Sequence, residues 1–290
     1  MKILLFGASG QLGTEWQRMF AQKDDDLLVI PYTSSQLDIT RPEIVKHELV
    51  KEHPDVVINC AAYTKVDQAE EEREQASNVN AKAVGHLAKL CAQRNIKLVH
   101  FSTDYIFAGH QEDRNHFPNG YPEDHPAKPV NRYGQTKWEG EEAIKQSGCS
   151  YLMMRISWLC GTDGNNFVKT MLRLGDEHDE LQVVDDQYGS PTFADKLVKD
   201  TLKLIEQERE GTYHHTSKGL LSWADFAEAI FKEANIKVSI DRISSSEYVT
   251  KAKRPHFSKL NTEKIEQLEI IEMENWKPGL KRLINKINQK

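Results

Sequence analysis

The chain has 290 residues, with 38 lysines and arginines against 44 aspartates and glutamates, which gives a formal net charge of −6. This length fits one large domain or two smaller ones with a sizeable core, and the acidic balance argues against a general nucleic-acid binder. No apolar stretch reaches the roughly 18 residues of a membrane span, and the N-terminal apolar run is too short for a signal peptide, so we expect no membrane segment and a cytoplasmic protein. The four cysteines form no C-x-x-C pair and are expected to be reduced and buried.

Apolar strands alternate with helices through the first half of the chain. In order, the pattern predicts a strand from residue 2, a helix over 15–22, a strand over 26–32, a helix over 41–53, a strand over 54–62, a helix over 77–95 and a strand over 96–107. Thr40 is the N-cap candidate of the 41–53 helix, with Pro42 near its first position. Strands that are apolar throughout and alternate with helices indicate a parallel sheet covered on both faces.

The second half begins with a long loop over 108–130, rich in Gly, Pro, Asn and Asp. After it the pattern predicts a helix from near Asn131, a strand over 150–160, helices over 165–178 and 193–207, a strand over 211–217 and a helix over 221–235 with Ser222 as N-cap. We therefore predict an α/β fold: a Rossmann-like doubly wound parallel sheet with a smaller C-terminal α/β substrate domain. The dinucleotide-binding domain is assigned to 1–157 with a returning segment near 182–215, and the substrate-binding domain to 158–181 and 216–290.

A glycine motif, G-x-x-G-x-x-G at Gly7, Gly10 and Gly13, follows the first strand and opens the first helix. Glycine permits the tight turn and lets backbone N–H groups approach a pyrophosphate, which the helix N-terminus attracts. The motif therefore predicts dinucleotide binding, and the alternative is a glycine-rich turn without a ligand.

The residues after the second strand bear on the choice of cofactor. A free ribose 2′-hydroxyl usually meets Asp or Glu there, but residues 31–36, PYTSSQ, offer hydroxyls and no acid. No carboxylate repels a 2′-phosphate, so we favour NADPH; no Arg grips that phosphate either, so NADH stays open. Asp38 is expected near the adenine instead.

Two further segments end strands at the edge where such sheets bind ligands. Ala61 and Ala62 are small enough to let a cofactor approach, although simple close packing would also explain them. Ser102, Thr103 and Asp104 offer hydroxyls and a carboxylate to the same cleft, with turn or helix-capping chemistry as the alternative.

Tyr133 and Lys137 stand four residues apart at the head of the helix that follows the long loop. Both side chains leave the same helix face, so they form either an ordinary surface pair or a proton donor with a cation that tunes it. A tyrosine with an ordinary pKa of about 10 is protonated at neutral pH, and a neighbouring ammonium lowers that pKa. With a bound hydride source and the Thr103 hydroxyl, the pair would complete a carbonyl reductase.

Together these motifs resemble an extended short-chain dehydrogenase/reductase, and more closely the dTDP-4-dehydrorhamnose reductase family. Seven segments carry the resemblance in order over nearly the whole chain: LLFGASGQLG, NCAAYTKVDQAE, FSTDYIFAG, NRYGQTKWEGE, RISWLCG, VVDDQYGSPT and KRPHFSKL. The resemblance implies reduction of the C4 ketone of dTDP-4-dehydro-L-rhamnose to dTDP-L-rhamnose, a precursor of cell-surface polysaccharide. The implied partner is thus a small-molecule nucleotide sugar.

The resemblance also implies roles for single residues. Tyr133 is the implied proton donor, Lys137 its partner and a ligand of the cofactor ribose, and Thr103 the third member of the triad. The other implied contacts are Gly10, Gln11 and Leu12 at the cofactor pyrophosphate, Asp38, Ile39, Ala62, Tyr63 and Thr64 along the rest of the cofactor, and Asp104 and Trp158 at the substrate.

The chain departs from related patterns at two places. Nucleotide-sugar dehydratases of similar fold carry an acid directly after the T-D pair, where this chain has Tyr105, so an acid for elimination is missing. Some relatives are thought to dimerise through metal-bridging acids; Glu15 is available, but no full set accompanies it. We predict no catalytic metal and leave a homodimer open.

Two alternative functions on the same fold stay open. A non-catalytic regulatory subunit would have no need of the triad. An epimerase or reductase of another nucleotide sugar would use it, and an epimerase would copurify with its cofactor.

A basic segment, KAKRPHFSKL, places Lys251, Lys253, Arg254 and Lys259 within nine residues of an acidic chain. A solvated face is the ordinary interpretation, but the segment lies in the half where the sugar nucleotide must dock. The planar fork of arginine can bind two phosphate oxygens at once. We therefore predict that Arg254 reaches the substrate pyrophosphate.

Overall fold

The computed structural model describes residues 1–22 and 27–289; Asp26, the first residue of the predicted second strand, and Lys290 lie outside the described residues. The main sheet consists of β1 (Lys2–Phe6), β2 (Leu28–Tyr32), β3 (Val56–Asn59), β4 (Lys97–Thr103), β5 (Tyr151–Ile156) and β10 (Gly211–His214). All its pairings are parallel, in the order β10-β5-β4-β3-β1-β2. The order reverses between β1 and β3, and ligands bind beyond the carboxyl ends of the strands at such a switch point. The predicted doubly wound parallel sheet is confirmed.

Helices cover both faces of this sheet, which explains why its central strands carry apolar residues on both faces. The helices of this part are α1 (Gln11–Phe20), α2 (Pro42–Glu52), α3 (Arg73–Ser77), α4 (Ala83–Ala92), α5 (Asp113–His116), α6 (Arg132–Gln146) and α8 (Ala194–Glu206). Along β1, Ile3 and Leu5 join the core under α1 and α8, while Leu4 and Phe6 join the core under α2, α4 and α6. The period of two along a strand thus feeds two separate cores.

The second part of the chain forms smaller sheets and further helices. Its elements are β6 (Leu159–Cys160), α7 (Phe167–Glu177), β7 (Glu180–Val184), β8 (Tyr188–Gly189), β9 (Thr192–Phe193), β11 (Leu221–Ser222), α9 (Trp223–Ala234), β12 (Ser239–Ile243), α10 (Glu263–Glu266) and α11 (Trp276–Asn288). β7 pairs with β12, β8 with β11, and β6 with β9. α7, α9 and α11 share a core around Val168, Phe226 and Leu280. Within the returning segment predicted near 182–215, β10 joins the main sheet whereas β7 does not. The limits of the two domains stay a prediction.

Local structure departs from the sequence patterns at several element ends. α2 begins at Pro42 with Arg41 as its N-cap residue, so the Thr40 N-cap is wrong, because the Thr40 hydroxyl donates to Asp38 at 2.7 Å instead. Ser222 is confirmed as an N-cap, with a full capping box. The helix predicted over 77–95 contains a π-helical turn at Asn78–Lys82. Among the described residues, no helix combines the length and apolar character needed to cross a bilayer.

Candidate active site

The glycine turn packs tightly between β1, α1 and the end of β3. Gly7 has φ +73°, and a Cβ there would lie 2.6 Å from the backbone nitrogen of Ala61. A Cβ on Gly13 would lie 2.2 Å from the Gly7 carbonyl oxygen. Both positions therefore require glycine, as the motif predicted, and the turn packs directly against the backbone of Ala61.

The N-terminus of α1 is available to an anion. Gly10 is the N-cap residue and supplies no side-chain cap, so the first backbone N–H groups, those of Gln11, Leu12 and Gly13, lack an intrahelical acceptor. The side-chain amide of Gln11 donates to the carbonyl of Leu159 at 3.1 Å, and the Leu12 side chain is buried in the core. These residues could therefore hold a pyrophosphate through their backbone, as the chemistry of a dinucleotide requires.

The residues expected along the rest of the cofactor follow the ends of β2 and β3. Asp38 accepts hydrogen bonds from the backbone and hydroxyl of Thr40, and it borders a cavity of about 820 Å³. Ile39 is buried, and Ala62 and Thr64 are exposed.

Tyr63 is held firmly beside them. Its backbone N–H donates to Asn80 at 2.8 Å and its hydroxyl to Glu72 at 2.8 Å. Asn80 also donates to the Thr136 hydroxyl on α6. This buried asparagine therefore connects the segment after β3 to the helix that carries Tyr133.

Three segments fix the first turn of α6. Asn131 caps the helix by accepting from the Gly134 N–H at 2.8 Å, and its own amide donates to the Lys253 carbonyl at 2.8 Å. Glu70 accepts from the backbone N–H of Arg132 at 2.7 Å. A Cβ on Gly134 would lie 2.1 Å from the carbonyl oxygen of Tyr105, so glycine allows this turn to approach the end of β4.

Lys137 is buried beneath the cleft with 2% exposure. Its Nζ donates to the Phe101 carbonyl at 2.7 Å and lies 3.2 Å from Nε2 of His100. Burial lowers the pKa of Lys137 to about 8, against the opposing charge of Glu141. Burial and the charge of Lys137 hold the pKa of His100 well below its usual range, so this histidine is neutral.

Tyr133 and Thr103 meet at the end of β4. Burial raises the pKa of Tyr133 to about 12, with the nearby Asp104 charge adding to the effect and a hydrogen bond from Thr103 opposing it. The lowering of this pKa that the spacing of Tyr133 and Lys137 predicted is therefore wrong in direction. The phenol is protonated at neutral pH, which suits a proton donor.

Asp104 carries an unsatisfied acceptor. Its Oδ1 accepts from the Thr103 hydroxyl at 2.9 Å, while its buried Oδ2 has no hydrogen-bond partner in the described part of the chain. Burial raises its pKa to about 7. The Ser258 hydroxyl lies near enough to oppose that rise, so this hydroxyl or a donor from a bound ligand could pair with Oδ2.

Trp158 and Arg254, both expected at the substrate, have partners within the protein. Trp158 has φ +47°, a strained conformation for a bulky residue, and stacks on Trp223 with centroids 3.5 Å apart. Arg254 forms an ion pair with Asp67 at 2.6 Å. A cavity of about 910 Å³ lies beside Arg254 and is walled by Trp223 and Phe167.

The acid considered for an interface metal is already paired. Glu15 forms an ion pair with Arg18 on the next turn of α1. Within the residues that the structure describes, no cluster of three possible metal ligands occurs.

Several residues of the site carry no signal in the sequence. His100, Asn80, Glu70 and Asp67 all contact groups far away along the chain. The carboxylates of Glu70 and Asp67 lie in the quoted segment NCAAYTKVDQAE, but their partners are visible only in the folded structure.

Comparison with known proteins identifies the family. The protein-family model described as the RmlD substrate binding domain matches residues 1–289 of this chain. The chain is 37% identical to dTDP-4-dehydrorhamnose reductase of Shigella flexneri, covering 99% of this chain and 98% of that one. It is similar to the crystal structure of dTDP-4-dehydrorhamnose reductase from Bacillus anthracis in complex with NADP, with a TM-score of 0.92, 40% identity and coverage of 98% and 99%. A reductase structure from Clostridium acetobutylicum gives a TM-score of 0.94 at 40% identity, covering 99% and 100%. The chain belongs to the dTDP-4-dehydrorhamnose reductase family.

Proposed function

We propose that this chain reduces the C4 ketone of dTDP-4-dehydro-L-rhamnose to dTDP-L-rhamnose with NADPH. The observation that carries the proposal is the meeting of the half-buried Tyr133 with Thr103 at the end of β4, with the buried Lys137 beneath the same cleft. The family supports the substrate, and the NADP held by the Bacillus anthracis protein supports the cofactor.

The residues divide the chemistry between them. The bound nicotinamide cofactor would supply the hydride to C4, with its pyrophosphate on the N-terminus of α1. Tyr133 donates its phenolic proton to the ketone oxygen, and the Thr103 hydroxyl, which donates to Asp104 in this structure, would turn its single O–H to the same oxygen. Lys137 uses two N–H groups on Phe101 and His100, which leaves one for the cofactor ribose, while its positive charge stabilises the phenolate.

The substrate would occupy the cavity beside Arg254. Trp223 and Phe167 offer aromatic walls for the base, and Asp104 Oδ2 offers an acceptor for a sugar hydroxyl. Tyr105 stands where related dehydratases carry an acid, which favours reduction over elimination.

The direct test monitors the oxidation of NADPH by its loss of absorbance. The substrate is generated in the same mixture by a dTDP-glucose 4,6-dehydratase and the epimerase that follows it. Loss of absorbance that depends on the substrate supports the proposal, whereas no oxidation by an intact, cofactor-binding protein contradicts it. Light scattering on the same preparation tests the homodimer that the resemblance allows.

The value of kcat/KM should fall as the pH rises above neutral. The Lys137 pKa is lowered to about 8, so its ammonium is present below that pH and lost above it. Tyr133 keeps its proton to about 12, so Lys137 is the first of the two to lose its function. Because kcat/KM reports the free enzyme, a profile that stays flat well above pH 8 would contradict a charged role for Lys137.

Arg254→Ala should raise KM for the nucleotide sugar and leave NADPH affinity nearly unchanged. A charge-assisted contact to a phosphate contributes about 1.5–3 kcal/mol, or roughly 10–150-fold in affinity. Lys253→Ala is the matched control, since this exposed neighbour makes no ion pair among the described residues. Equal KM values for both variants at low salt would show that the basic segment is only a solvated face.

A further inference from the structure

Asp67 binds the segment around Arg254 through both of its carboxylate oxygens. Oδ2 accepts from Nη2 of Arg254 at 2.6 Å, and Oδ1 accepts from Nη1 at 3.1 Å and from the Ala252 N–H at 3.0 Å. Hydrogen bonds from Arg254 hold the pKa of Asp67 below its usual range. Asp67 follows β3 of the main sheet, so this contact joins the two parts of the chain across the cleft.

The backbone on either side of Arg254 is already anchored. The Lys253 carbonyl accepts from Asn131 at 2.8 Å, and the His256 N–H donates to the Gly109 carbonyl at 2.9 Å. Pro255 packs so closely on Gly109 that a Cβ on that glycine would lie 2.2 Å from the proline ring. These backbone contacts do not fix the direction of the Arg254 side chain. Its hydrogen bonds with Asp67 fix that direction.

The hydrogen bonds of Arg254 leave one edge of the guanidinium open. A guanidinium has five N–H donors in a planar arrangement. Nη1 donates to Asp67 and to the Ala252 carbonyl, and Nη2 donates once to Asp67. The Nε–H and the second N–H of Nη2 have no acceptor among the described residues. These two donors are adjacent on one edge and form a fork that fits two oxygens of a phosphate.

We propose that Asp67 is a positioning residue, which holds the end of the Arg254 guanidinium and so presents its Nε/Nη2 edge to the diphosphate of the nucleotide sugar. The inference rests on the proposed function and names how the substrate phosphates are recognised. Asp67 itself contacts no substrate atom. Its carboxylate would repel a diphosphate, and the intervening guanidinium separates the two anions.

A double-mutant cycle tests this role by calorimetric titration of the full-length protein, saturated with NADP⁺, with dTDP. Asp67→Asn should raise the Kd for dTDP by roughly tenfold, within the range of coupled neighbours. In the Arg254→Ala background the same change should have almost no further effect, because the side chain that Asp67 orients is gone. Affinity for NADP⁺ and the thermal midpoint report whether each variant keeps its fold.

Glu71→Gln is the matched control. Glu71 lies four residues further along and forms an ion pair with Lys251 of the same segment, but both side chains are more than 60% exposed. Exposed pairs contribute little, so this variant should bind dTDP like the unmodified protein. An equal loss of dTDP affinity in both variants would show that Asp67 acts only through the overall charge of the region and not through Arg254.

Each of the following four results would overturn the inference. Tighter dTDP binding by Asp67→Asn would show that Asp67 competes with the phosphates for Arg254. Unchanged binding, or the same loss in the Arg254→Ala background, would show that Asp67 does not act through Arg254. If the unmodified protein fails to bind dTDP, the substrate assignment falls and this inference with it, whereas binding without coupling overturns the inference alone.

Discussion

Tyr133→Phe is expected to lower kcat for ketone reduction by about 10²–10⁴-fold, the usual contribution of general acid catalysis. The change removes one hydroxyl and keeps the ring, which makes an edge contact with Tyr105 at a centroid distance of 5.8 Å. Because burial raises the pKa of Tyr133 to about 12, the phenol keeps its proton throughout the neutral range. It can therefore release that proton to an oxygen that becomes strongly basic as the hydride arrives.

The measurement compares kcat with the dissociation constant of NADPH for the same variant. NADPH affinity should change little, since the phenol acts on the ketone and Lys137 serves the ribose. Tyr151→Phe, at the start of β5 and outside the cleft, controls for the loss of a tyrosine hydroxyl. Near-normal turnover in Tyr133→Phe would rule out this residue as the proton donor, whatever the other residues do.

The main sheet and the glycine turn could be predicted because their signals are local. Gly13 is required by the Gly7 carbonyl a few positions away and Gly7 by the backbone just after β3, and the central strands carry apolar runs because both faces of the sheet are covered. β7 and β12 lacked such a signal. They form a separate two-stranded pair in which exposed residues alternate with buried or half-buried ones, so neither has the continuous apolar run that marks a strand buried on both faces.

The candidate site was predictable in its residue types but not in its contacts. Lys137 and His100 are 37 residues apart, Asn80 and Thr136 are 56 apart, and Arg254 and Asp67 are 187 apart. No spacing rule connects such pairs, because tertiary packing alone brings them together. The predicted direction of the Tyr133 pKa was wrong for the same reason: the sequence indicates a nearby ammonium, whereas the burial that raises this pKa depends on the whole fold.

Lys137→Met is expected to reduce kcat/KM by roughly 10²-fold or more, since the phenolate of Tyr133 loses its cation. It should also weaken NADPH binding by roughly 10–150-fold, the value of a charge-assisted hydrogen bond to the ribose. Met matches the length of the side chain but removes the donor that Phe101 and His100 share, so the thermal midpoint is measured beside both constants to show that the variant keeps its fold.

The two losses separate the roles of Lys137. Its two protein contacts, on Phe101 and His100, use two of the three N–H groups of the ammonium, and the third is the group assigned to the cofactor. Lys145→Met, two turns further along α6 and paired with Glu142 near the surface, is the matched control and should keep both activity and NADPH affinity. A Lys137→Met protein that binds NADPH normally would contradict the ribose contact. If its kcat is also normal, the Tyr133 phenolate does not depend on the charge of Lys137. If instead both fall while the thermal midpoint is maintained, the buried ammonium acts on cofactor and phenol together.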